Sequence, residues 1–298
     1  MNSFYDILKK PQPEPVEQDR EFDREEYKNR KQAERKELYD AIDATLDAMT
    51  KDPAAIVSYL DVQARFDRYS VSNALLITAQ MPEATGPFKT FDDWKDEKVS
   101  VNKGETAISL LEPGPEVERE DGSKATSYHV KKVFDRSQTN APPREEREFS
   151  DYDLLEGLIH NAPCELKVSD NIPETYNAVY NPQERALYVR PGLDEQEIFR
   201  AVALQLCHAY LNKNGNYRKE ENANTVFCAA YMLCKRYGVE TQGSFEFPAV
   251  PDEYREMTPQ GLKAELTRVR RLAGEISQNI SQVLENRQPV QQHREEAR

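Results

Sequence analysis

Nothing in this 298-residue chain approaches the roughly 20 consecutive apolar residues that a membrane-spanning helix needs. Its first ten residues, Met1 to Lys10, lack the apolar core of a secretory signal. The expectation is a soluble, cytoplasmic protein with no membrane partner. Cysteine is scarce. Cys164, Cys207, Cys228 and Cys234 are unevenly spaced within apolar stretches, which fits reduced, buried thiols better than a disulfide framework. Positive charge is in deficit, with 40 Lys and Arg against 53 Asp and Glu and a net charge of -13. That balance argues against indiscriminate polyanion binding, because phosphate contacts depend on Lys and Arg. Histidine is limited to four residues, and His129 and His160 have no recognisable partners in the sequence.

What is present points to an α+β chain long enough for two modest domains. Residues 1–16 carry Pro11, Pro13 and Pro15 and read as disordered. From Glu17 to Met49 the chain is strongly charged, with Leu38, Ile42, Leu46 and Met49 at helical spacing, so one long, mostly solvated helix is expected. Asp52 and Pro53 cap and start a second helix bearing Ile56, Leu60 and Ala64, and Ser70 to Met81 is a third, ended by Pro82. The period then changes to two. Thr106–Leu111 and Ala125–Phe134 read as antiparallel strands, with 113–123 as an exposed acidic loop. The Pro-led, charged segment 141–150 is the expected linker between a front domain at 51–140 and a rear domain at 151–245. In the rear domain a short helix near 153–160, a strand near 164–168, a hairpin at 177–192 and helices near 194–212 and 220–237 are expected. Residues 246–298 follow as a Pro-punctuated connector, a long helix from Gln260 to Asn286 with an apolar stripe, and a polar tail.

The segment from Glu197 to Tyr210 reads like a zinc-peptidase helix that has lost most of its chemistry. In H-E-x-x-H two His four apart share a helix face as zinc ligands, and the Glu beside the first acts as general base. Here those slots hold Leu204, Gln205 and His208. An alkyl group cannot coordinate, and an amide takes up no proton near neutral pH. Gln205 and His208 are expected to be ordinary buried polar groups, bonded to each other or to nearby backbone, because one His rarely holds zinc alone. Glu220 and Glu221 read as a solvated first turn of the next helix. A substitute site from Cys207, His208, Cys228 and Cys234 is weak, because Cys207 and His208 diverge by about 100° on one helix and no C-x-x-C pair exists.

The hairpin, this helix and the segment from Ala229 to Thr241 together resemble the metallopeptidase-like, ImmA/IrrE-like zincin domain of ArdC-type antirestriction and related mobile-element proteins. The runs Tyr69–Thr85, Phe88–Trp94, Val101–Ile108 and Val133–Thr139 resemble the N-terminal, single-stranded-DNA-binding domain of the same family. The resemblance implies a two-domain protein of a conjugative plasmid or similar mobile element, with helices and an antiparallel hairpin in front and a degenerate zincin-like domain behind. Single-stranded DNA is the implied partner, with a host restriction or defence protein as a further one, and no cofactor is expected; zinc belongs to the alternative of a divergent active metallopeptidase. A third alternative is an acidic protein that binds a host factor without touching DNA. Under the DNA reading the candidate contacts are Tyr69, Asn73, Gln80, Lys89, Trp94, Lys103 and Lys131. Aromatic rings supply stacking platforms and lysines track the backbone. Residues 51–138 carry 12 Lys and Arg against 15 Asp and Glu, so any such groove must be basic locally on an acidic surface.

Overall fold

The computed structural model describes residues 24–118, 122–143, 149–215, 217–285 and 287. The Pro-rich start, the first turns of the expected first helix, the charged part of the linker at 144–148, Asn286 and the polar tail beyond Arg287 lie outside the described residues.

Helix α1 (Arg24–Met49) buries the four expected residues Leu38, Ile42, Leu46 and Met49 and keeps the rest of its length in solvent or half covered. Asp52 then caps α2 (Pro53–Arg65) by accepting from the Ala54 amide, with Pro53 in the first turn, where its missing N–H costs no bond. Ser70 caps α3 (Val71–Gln80), and Thr90 and Asp93 form a reciprocal capping box on α4 (Phe91–Asp96). The hairpin β1 (Ile108–Glu118) and β2 (Lys124–Val133) follows, closed by a 3-10 turn at Arg136–Gln138.

The expected acidic loop at 113–123 is largely strand. Beyond Leu111 the ladder continues through Glu112 opposite His129 to Glu118 opposite Lys124, interrupted by one register shift between Pro113 and Glu116. Pro113, Gly114 and Pro115 therefore make an irregularity within a strand rather than a turn that ends it. Prolines have no N–H for a ladder, and bulges accommodate them.

The rear half starts with α5 (Asp151–Ile159) and a three-stranded sheet of β3 (Glu165–Val168), β4 (Ala178–Asn181) and β5 (Ala186–Val189) in the order β3-β5-β4. The β3-β5 pair is parallel and the β4-β5 pair antiparallel. Helix α6 (Glu195–Leu211), started by an Asp194–Glu197 capping box, packs on β4, β5, α5 and α7 (Ala223–Arg236). The expected connector at 246–259 contains a short helix, α8 (Asp252–Glu256), whose Tyr254 is wholly buried along with Phe245 and Val250 nearby. Those apolar groups make it part of the core rather than a spacer. Helix α9 (Pro259–Leu284) carries the expected stripe and packs against α5, α7, α6, α1 and α3. Gly157 permits a close approach of α5 to α9: a Cβ there would lie 3.1 Å from the Ile280 backbone.

The hydrophobic core is continuous from Leu38 to Leu284 and crosses the 141–150 segment. Front and rear meet along α2 and α7, where the Tyr231 hydroxyl donates to Asp61 at 2.7 Å and Arg236 pairs with Asp67 at 2.9 Å. Arg270 of α9 donates to the Asp67 carbonyl at 3.1 Å. Among the described residues no helix is long and apolar enough to cross a membrane.

Candidate functional site

On α6, Leu204 is half-buried while Gln205 and His208 are buried. The Gln205 carbonyl oxygen accepts the backbone N–H of Tyr180 at 2.9 Å, and Asn212 donates to the Tyr180 hydroxyl at 3.0 Å. Tyr180 lies on β4, the outer strand of its sheet, so Gln205 fills a backbone donor at a strand edge. His208 meets Tyr217 instead, through Nδ1 and the tyrosine hydroxyl. Burial, with a smaller effect from Lys219, lowers the His208 pKa from 6.5 to about 4. The imidazole is therefore neutral near pH 7. With Tyr217 donating to Nδ1, the ring proton sits on Nε2, an assignment that rests on this bond. Both side chains are satisfied as buried polar groups, by backbone and by Tyr217 rather than by each other. Tyr217 lies nine residues along the chain in a loop, and nothing in the sequence pattern marks it as the partner.

Glu220 and Glu221 occupy an exposed 3-10 turn ahead of α7, where Glu221 pairs with Arg218 at 2.8 Å. Cys207, Cys228 and Cys234 are buried free thiols and Cys164 is half-buried. Burial raises Cys228 and Cys234 to about 12, so their thiolate forms are strongly disfavoured. No group of three or more His, Cys, Asp or Glu among the described residues is arranged to hold a metal ion.

In the front half, Tyr69, Lys89, Trp94 and Lys131 come together beside Asp93. The Lys89 ammonium lies 4.7 Å from the centre of the Trp94 ring and pairs with Glu97. Lys131 pairs with Glu112 at 2.7 Å, and that bond raises its pKa. The Thr90 cap bonds are the main cause of the lowered Asp93 pKa, with Lys131 and Lys89 adding to it. Tyr69 is half-buried, edge-on to Phe66 and Phe88. Trp94 is only 1% exposed, with its indole N–H donating to the Phe134 carbonyl at 3.0 Å, so it offers no open ring face. Lys103 stands apart on the exposed turn 102–105, which is tied to Gln138 through the Asn102 amide and the Glu105 carboxylate.

Asn73 and Gln80 have structural bonds of their own. The Asn73 amide accepts from Leu111 N at 2.8 Å and donates to Leu111 O at 3.0 Å. The Gln80 amide does the same at Ser109, at 2.9 and 3.0 Å. Together they occupy the edge of β1 that faces away from β2.

The segment that closes the front half is held by Asp135, a buried carboxylate that accepts from the amides of Thr85, Gly86 and Ser137 and the hydroxyls of Thr85 and Ser137. Burial would raise its pKa, and these bonds more than offset that and hold it below 3.8.

Residues 31–150 match the family model of the N-terminal domain of anti-restriction factor ArdC. That stretch is similar to the ArdC N-terminal domain. The chain is similar to two crystal structures of the antirestriction ArdC protein from plasmid R388. The metal-free structure is 16% identical, with 72% of this chain and 86% of that chain covered and a TM-score of 0.44. The Mn(II)-bound structure is 18% identical, with 74% and 86% covered and a TM-score of 0.47. No curated protein matches the chain.

Proposed function

We propose that this ArdC-like chain is a cytoplasmic accessory protein of a mobile genetic element that binds single-stranded DNA through its front half. Its rear half serves as a zincin-like scaffold without peptidase chemistry. The observation that carries the second part is the state of the three slots on α6. Leu204 has no donor atom, the Gln205 oxygen is committed to Tyr180 N–H, and His208 Nδ1 is committed to Tyr217. The R388 ArdC protein has a Mn(II)-bound form. The donor set here does not fit a metal of that kind, since His208 is the one nitrogen ligand on this face and Glu221 is paired with Arg218 on an exposed turn.

The first part is supported by the family match over residues 31–150 and by the lysines that the front half keeps on an acidic protein. A local basic surface is what sequence-tolerant single-strand binding requires. Fluorescence anisotropy with single-stranded and duplex oligonucleotides over a salt series tests it. Preference for single strands that weakens steeply with salt is expected. Absence of binding at low salt would instead favour an acidic surface for a host restriction or defence protein, to which the net charge of -13 is suited. Elemental analysis and a casein-hydrolysis assay test the rear half, with stoichiometric tightly bound zinc or manganese, or proteolysis, as the contrary result.

A further inference from the structure

Charge on α1 is divided along its length. Residues 24–36 hold Arg24, Lys28, Arg30, Lys31, Arg35 and Lys36 against Glu25, Glu26 and Glu34, whereas residues 37–49 hold Glu37, Asp40, Asp43 and Asp47 and no cation. Helix stability does not account for this, because the macrodipole favours cations in the last turn, and α1 has none there. Beside the basic half runs β2, whose charged residues are Lys124, Lys131 and Lys132 with no acid among them. The two elements touch where Arg35 reaches the Tyr128 carbonyl. Glu34 is the common neighbour of Lys31, Arg30 and Lys132; its bond to Lys31 at 2.8 Å is the main cause of its lowered pKa. Lys132 alternates with Lys131 on the strand and so faces away from the Tyr69, Lys89 and Trp94 group. Exposed rings accompany the cations: Tyr27, with Arg30 at 5.5 Å and Lys31 at 5.8 Å from its centre, and Tyr128.

We propose that the basic half of α1 and the adjoining face of β2 form a backbone-tracking surface for single-stranded nucleic acid, with Arg30, Lys31, Arg35 and Lys132 as phosphate contacts and Tyr128 as a stacking platform. The proposal rests on the single-strand reading above and moves the contact surface onto residues outside those singled out from the sequence. An acidic peptide would satisfy the cations alone, whereas unpaired bases would also stack on the exposed Tyr128 ring. On a protein of net charge -13, a patch of this sign is a local exception whose charge is complementary to phosphates.

The test measures binding of a labelled oligothymidylate of about 20 nucleotides, longer than one such surface covers, over a salt series with the full chain. The triple variant Arg30→Gln, Arg35→Gln, Lys132→Gln should lose affinity by on the order of tenfold or more at low salt and flatten the log–log salt slope by about 2, roughly 0.7 per lost contact. Tyr128→Ala should weaken binding without changing that slope. A charge-matched control, Lys213→Gln, Arg255→Gln, Arg271→Gln, should bind as the parent does, and circular dichroism confirms that each variant is folded. If the parent binds and the triple variant binds equally well with an unchanged slope, the surface is wrong and the single-strand reading stands. If the parent does not bind at low salt, both fall. If polyglutamate displaces the oligonucleotide as well as unlabelled oligothymidylate does, the assignment to single strands is overturned.

Discussion

His208 shows how one residue couples this fold to pH. Its folded pKa of about 4 lies below the ordinary 6.5, so between those values the unfolded chain takes up a proton that the folded chain refuses. Stability from this group is complete above pH 6.5 and declines as pH falls toward 4, by at most about 1.4 kcal/mol per unit. Asp135 acts in the same direction at lower pH, because its depressed pKa makes its contribution fade below 3.8. Urea midpoints at pH 7 and pH 5 should differ for the parent, and the difference should shrink in His208→Gln while persisting in Asp135→Asn, if the latter folds. The same face of α6 offers a test of ancestry. Leu204→His with Gln205→Glu writes H-E-x-x-H into residues 204–208, and the new Glu can still accept from Tyr180. Adding Tyr217→Phe frees Nδ1 of His208. The triple variant should gain measurable zinc affinity over the parent by titration calorimetry, with no peptidase activity because no third ligand stands in place among the described residues. A folded variant with no gain would mean that the zincin register is wrong.

Elements here are fixed as much by side-chain amides as by apolar stripes. Asn73 and Gln80 dock α3 on the open edge of β1, and Gln205 docks α6 on the edge strand β4, so helices cover strand edges that would otherwise recruit other chains. Asn73→Ala should leave Leu111 N–H and C=O half-buried without partners and cost about 1–3 kcal/mol in chemical denaturation; a loss under a few tenths would show that water replaces the amide freely. Helix starts were legible in the sequence because Asp52, Ser70 and Asp194 are local signals that act on their own neighbours. The role of the amides was not, since Asn73 and Leu111 are 38 residues apart and an amide on a helix face reads equally as a surface contact. The strand beyond Pro113 was hidden for a related reason: a Pro-Gly-Pro run signals a turn locally, and the pairing of Glu116 with Thr126 overrides it. Likewise the Pro-punctuated stretch before α9 concealed Tyr254, whose burial depends on α7 and α9 packing around it.

Across the whole molecule, the front and rear halves share one core. The α2–α7 contact joins Tyr231 to Asp61 and Arg236 to Asp67, and α9 touches helices on both sides of the 141–150 segment. Of these links the Arg236–Asp67 ion pair is partly exposed and contributes modestly, on the order of 1 kcal/mol or less. The apolar surface between the halves therefore dominates, and separating them would expose the packed faces of α2 and α7. Such a core predicts one cooperative unfolding transition. The chain's one tryptophan, Trp94, sits in the front half, so its fluorescence reports on that half alone, whereas far-ultraviolet circular dichroism is dominated by helices in both. Thermal unfolding followed by the two signals should give coincident midpoints. Phe199→Ala, which hollows the rear core beneath α6 at a cost of about 3–5 kcal/mol, should lower the Trp94 midpoint as far as the circular dichroism midpoint. A Trp94 transition that stays at the parent's temperature while the helical signal shifts would show that the two halves unfold independently.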